Sequence, residues 1–116
     1  MKVKTNRKVT LIGKNGSAQA TLVDLSLDGA GILSPRGARV GTELELIFEI
    51  PTSEYFRTLN ILATVTHRHH TDEGNYMEMR FDDLENRQEQ YIREFIDYKN
   101  RLLSLGQKTS VSSSSF

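Results

Sequence analysis

The sequence predicts a mainly β domain, a closed or nearly closed six-stranded antiparallel barrel followed by one C-terminal α-helix. Two observations carry this. Apolar and polar residues alternate at period two in short runs separated by Gly, Pro, Asn and Asp punctuation as far as Phe81. After Phe81 the apolar spacing changes to three and four, which is helical. Many short strands with one terminal helix fit a small barrel with the helix lying across an opening.

The first strand precedes Asn15-Gly16, with Val9 and Leu11 alternating around Thr10. Asn-Gly is the strongest hairpin signal and favours a two-residue type I′ turn. The second strand spans residues 18–23. If Asn15-Gly16 is the loop, Leu11 lies opposite Ala20, Val9 opposite Leu22 and Arg7 opposite Asp24. That register carries the basic start of the chain (Lys2, Lys4, Arg7, Lys8) to the bend that follows Val23.

Residues 30–34 form the third strand, stopped by Pro35 and the Arg36-Gly37 turn. Residues 43–50 are the fourth, with Leu44, Leu46, Phe48 and Ile50 on one face and Glu43, Glu45 and Glu49 on the other. Pro51 ends it. The fifth covers residues 59–67, rich in β-branched residues, and the sixth residues 76–81, with Met77, Met79 and Phe81 facing the core. Asp82 or Asp83 caps the helix with Glu85 completing a capping box, and Gly106 ends it. The domain is thus residues 1–106, and the serine-rich 107–116 is expected to be a disordered tail.

Composition narrows the function. The 116 residues hold 15 Lys plus Arg against 15 Asp plus Glu, so no overall field draws nucleic acid or an anionic membrane. Single-stranded nucleic acid binding needs an exposed basic and aromatic face, and the acidic fourth strand argues against it. Cysteine is absent, which excludes disulfides and thiolate chemistry. No apolar run approaches the roughly 20 residues of a membrane span and there is no signal-peptide core, so the chain is expected to be cytoplasmic. Neither a nucleophile elbow, a phosphate-binding loop nor an H-E-x-x-H pair is present, so no enzyme is expected. His67 and His69 share a strand face, but no third or fourth ligand stands at suitable spacing for zinc.

The bend itself carries chemistry. In Asp24-Leu25-Ser26-Leu27-Asp28-Gly29 a carboxylate and a hydroxyl precede a glycine that lets a ligand or strand approach closely. The alternative is a turn whose Asp and Ser bond their own backbone. The spacing Asp24-x-Ser26-x-x-Gly29 resembles the D/N-x-S-x-x-G signature of PilZ domains, small bacterial barrels that mostly bind the second messenger cyclic di-GMP. The strand-and-helix order resembles theirs over most of residues 1–105.

The resemblance implies that Asp24, Ser26 and Gly29 contact cyclic di-GMP. A carboxylate accepts from the imino and amino hydrogens of guanine, which adenine cannot offer. Family members also carry an R-x-x-x-R motif that clasps the phosphates, and this chain has none near its start. Lys4 and Lys8 have the matching separation, with Arg7 adjacent. Counting back by the usual family interval instead puts the second basic position nearer Lys2 and the first before Met1. Lysine supplies charge but not the bidentate fork of arginine. Arg36, Arg39 and Arg68 are further cations for a phosphate. Asp28 adds negative charge beside a dianionic ligand, and Glu78 stands where the family usually has glycine.

The expected function is a cyclic di-GMP receptor that passes the signal to an effector protein, with no cofactor. The alternative is a degenerate module that binds no nucleotide and acts only as an adaptor in pilus, flagellar or chemotaxis control. Tyr98, Leu103 and Leu105 lie outside the main apolar stripe or extend it, and such surface marks a homodimer or partner contact.

Overall fold

Six strands and a helix make up the computed structural model, which describes the backbone of residues 1–114 and the side chains of residues 1–105. They are β1 (Val3–Gly13), β2 (Gly16–Leu25), β3 (Gly29–Ser34), β4 (Glu43–Pro51), β5 (Phe56–Thr71), β6 (Gly74–Phe81) and α1 (Asn86–Ser114). All pairings are antiparallel, and the strands close in the order β1-β2-β3-β6-β5-β4. Closure through β1 and β4 removes the exposed sheet edges that an open sheet would leave.

Period-two patterning fills the interior. Leu44, Leu46, Phe48 and Ile50 of β4 meet Leu59, Ile61, Ala63 and Val65 of β5, and Met77, Met79 and Phe81 of β6 complete that wall. Leu22, Leu25 and Ile32 are fully buried opposite them. Burying each large apolar side chain stabilises the fold by about 1.5–3 kcal/mol. α1 packs on β1 and β4 and adds Ile92, Phe95 and Ile96 to the same core.

The first hairpin differs from its expected register. Gly13 pairs with Gly16, so Lys14 and Asn15 form the loop; Leu11 lies opposite Ala18 and Val9 opposite Ala20. Among the described residues no non-glycine residue has positive φ, and the left-handed step falls on Gly16 at φ 137°. A type I′ turn needs positive φ at both central residues, so Asn15 does not make one here. The shift is by two residues, and an even shift keeps every side chain on its face.

The helix start also differs. It begins at Asn86, and the Gln88 side-chain oxygen accepts from the Glu85 backbone N–H at 3.2 Å. Asp82, one of the two residues expected as a cap, instead accepts a 2.7 Å hydrogen bond from Thr64, and both it and Asp83 precede the helix start by three residues or more. Gln88 Nε2 donates to the Asn60 carbonyl at 2.9 Å, fastening the first turn to β5. The bounds of α1 run past Gly106, where the sequence reading ends the helix. The tail expected over residues 107–116 lies outside the described side chains.

Candidate functional site on the outer wall of the barrel

Strict alternation would put Asp24 on the same inward face as Leu22. The β2–β3 register prevents this: Leu22 pairs with Ile32 and Asp24 with Gly31, which leaves Val23 as an extra residue in β2. This bulge lets Leu22 and Leu25 both point inward while Asp24 turns out. β1 is irregular at the same level, between Lys4 and Arg7.

Although it sits on the outer wall, Asp24 is only 5% exposed. Its Oδ2 accepts from the Tyr76 hydroxyl at 3.1 Å, and Lys2 Nζ lies 3.9 Å from the same oxygen. Gly31 makes the room. A Cβ there would fall 2.5 Å from both Asp24 Oδ2 and the Tyr76 hydroxyl. Burial, then the charge of Asp24 and the hydrogen bond to it, push the Tyr76 phenol up to about 12, so it stays a donor at neutral pH. On β5, His69 packs its ring against Tyr76 with centroids 5.1 Å apart.

Ser26 and Gly29 close the bend. Ser26 N–H donates to the Gly29 carbonyl at 2.9 Å, and Ser26 Oγ accepts from the backbone N–H groups of Asp28 and Gly29 at 3.2 Å each. The hydroxyl is thus engaged in its own turn. Gly29 is required by β6, because a Cβ would lie 2.0 Å from the Met79 carbonyl oxygen.

Asp24, Ser26 and Gly29 line a shallow cavity of about 170 Å³ together with Lys2, Glu78 and Arg80. Asp28 lines it too, so its charged groups are three carboxylates and two cations. Glu78 Oε2 lies 3.2 Å from His67 Nδ1, which ties this carboxylate to β5. The arrangement offers a buried carboxylate and an exposed ammonium to a polar ligand.

The basic residues divide. Lys2 reaches Asp24. Lys4 stands opposite Asp24 in the β1–β2 register and is exposed, whereas Lys8 is exposed opposite Thr21. Arg7 pairs with Leu22 rather than Asp24; its Nε donates to the Glu49 carbonyl at 2.6 Å and its guanidinium lies 5.4 Å from the Phe56 ring centre. Arg7 is therefore committed to the β4–β5 side. Arg68 lies against Gly37 of the β3–β4 connection, where a Cβ would be 2.7 Å from Cζ, and its guanidinium donates to Asn75 Oδ1 at 3.5 Å. Among the described residues no three His, Asp or Glu side chains gather as a metal site. Sequence reasoning did not assign Tyr76 or Arg80 to the site; the signal was Gly31, a missing side chain beside a buried acid.

The family model described as PilZ domain matches residues 2–98. The chain belongs to the PilZ domain family. Among solved structures, this PilZ domain is similar to the Bacillus subtilis inhibitor of motility MotI/DgrA, with TM-score 0.76 and 15% identity over 86% of this chain. It spans 50% of that Bacillus protein. The PilZ domain of Escherichia coli YcgR, solved with c-di-GMP, gives TM-score 0.70 and 14% identity, covering 93% of this chain and 95% of that one. The PilZ domain of CeSA from a cellulose-synthesising bacterium gives 0.56 and 13%, covering 88% and 97%. No curated protein matches the chain. Identities this low establish the shared fold; no catalytic family is indicated. Among the described residues no helix is long and apolar enough to cross a membrane.

Proposed function

We propose that this PilZ domain is a non-enzymatic, cytoplasmic receptor for cyclic di-GMP that passes its occupancy to an effector protein. The observation that carries the reading is the meeting of Lys2 with Asp24 in a cavity also lined by Ser26 and Gly29. A cationic leading segment beside a carboxylate corner suits a ligand that couples phosphates to guanine edges. Lys2 and Lys4 provide the phosphate charge, and Asp24 accepts from guanine. Ordering the segment before β1 around the ligand would reshape the surface presented to the effector. Tyr98, Leu102 and Leu103, exposed on α1, offer apolar area for that contact or for a homodimer.

Isothermal titration with cyclic di-GMP tests the reading. The wild-type chain is expected to release or absorb heat at a one- or two-molecule stoichiometry, and Asp24→Asn to abolish it. A silent wild-type titration would remove the receptor reading.

A second reading, a nucleotide-free adaptor, is favoured by one feature: Asp24, Asp28 and Glu78 outnumber Lys2 and Arg80 around the cavity. A dianion is weakened by each uncompensated carboxylate. Silent titration combined with effector capture that is indifferent to added nucleotide would establish the adaptor instead.

A further inference from the structure

We infer that Tyr76 is a specificity-determining positioning residue for the nucleotide site: its hydroxyl, seated over Gly31, orients the Asp24 carboxylate for guanine. The inference rests on the receptor reading and names how that site would choose its base.

The two partners of Asp24 differ in kind. The side chain of Lys2 is 52% exposed, against 7% for that of Asp24, so the ammonium is a cover that can swing away. Tyr76 is fixed. Its strand pairs on both sides, with Leu33 of β3 and His69 of β5, and its ring rests on the His69 imidazole. Its hydroxyl reaches Asp24 across β3 through the gap that Gly31 leaves. Both partners approach Oδ2, so Oδ1 is the oxygen left for a ligand once Lys2 moves.

This matters for selectivity because guanine presents two adjacent donors and adenine presents no imino hydrogen. A carboxylate free to rotate can adapt to many partners, whereas one held by a half-buried phenol on a paired strand rejects ligands that leave it unpaired. A phenol pushed up to about 12 donates at every physiological pH, so the hold does not lapse. The support chain crosses three strands, His69 on β5, Tyr76 on β6 and Asp24 on β2. No step in it belongs to the Asp-Ser-Gly bend beyond Asp24 itself.

The test is titration of wild type, Tyr76→Phe and His69→Ala with cyclic di-GMP and with cyclic di-AMP, alongside thermal melts. Tyr76→Phe keeps the ring and its contact with His69 while removing the donor. We expect about a tenfold weaker cyclic di-GMP complex, as for one hydrogen bond to a charged group, with cyclic di-AMP binding unchanged. Selectivity then falls by the same factor. Lys2→Ala, by contrast, weakens both nucleotides equally. Should Tyr76→Phe fail to fold by circular dichroism, His69→Ala, at an exposed position, carries the test with a roughly threefold loss in selectivity expected. Wild-type binding with unchanged selectivity in the variants overturns this inference alone. A wild type that binds neither nucleotide overturns it together with the receptor reading.

Discussion

Replacing Gly29 by alanine would place a methyl carbon 2.0 Å from the Met79 carbonyl oxygen and 3.2 Å from Arg80 Cα. Both neighbours are backbone atoms of β6, so no side chain can swing aside. Carbon and oxygen need about 1 Å more than this, and close-packed interiors offer little slack. β3 and β6 must part where Gly29 pairs with Arg80. Two hydrogen bonds hold that corner, Ser26 N–H to the Gly29 carbonyl and Phe81 N–H to the Asp28 carbonyl, each 2.9 Å. Losing them costs about 1 kcal/mol each. Overpacking adds about 1–3 kcal/mol. The total, about 3–5 kcal/mol, is a large part of the roughly 5–15 kcal/mol that a domain possesses. At about 4 °C per kcal/mol the melting temperature should fall by roughly 12–20 °C. Thermal and urea unfolding followed by circular dichroism measure this. Gly41→Ala is the control: its φ is +94° and nothing lies within 4 Å, so only a left-handed backbone penalty of about 1–2 kcal/mol applies. A Gly29→Ala protein within about 1 kcal/mol of wild type refutes the argument. If it also lost nucleotide binding, the glycine would serve ligand approach rather than strand packing.

Three further outcomes are expected. The phenol of Tyr76 titrates near 12 rather than the ordinary 10, chiefly through burial. Its folded value is raised, so its contribution to stability is complete below pH 10 and lost as pH rises through 12; ultraviolet titration should show a late phenol that Tyr76→Phe removes and Asp24→Asn moves earlier. Glu78→Gly removes a carboxylate from the cavity wall and should tighten cyclic di-GMP binding about tenfold in calorimetry, while lowering stability by about 1 kcal/mol through a glycine in a strand. Unchanged affinity would show that Glu78 does not oppose the ligand. Gln88→Ala removes both the bond to the Glu85 N–H and the bond to the Asn60 carbonyl, and should lower urea stability by about 1–2 kcal/mol.

The barrel was legible because its information is local. Alternation along residues 43–50 dictates which side of β4 faces inward, and the switch in spacing after Phe81 marks the helix. Hairpin register was not, because Val9 and Leu11 keep their face under a two-residue slip, so the apolar pattern is blind to it. The Asp-Ser-Gly bend could be read from its residue types, and so could the competing self-bonded turn; Ser26 in fact serves that turn. What could not be read was the company of Asp24. Its burial depends on a bulge at Val23, on a gap at Gly31, and on a tyrosine that follows it by 52 positions. Arg7 was expected opposite Asp24, but the register carries it to Glu49 and Phe56 instead.

The strands close on themselves around a filled interior, so whatever docks at the Asp24–Gly29 corner lands on the outside of a solid cylinder. Arrival and departure then require no breathing of the core, and exchange can follow the ligand's concentration in solution without waiting on rare openings. On the receptor reading proposed above, a signal from that corner would travel in what the visitor itself displays, or in the stretch of chain leading into β1.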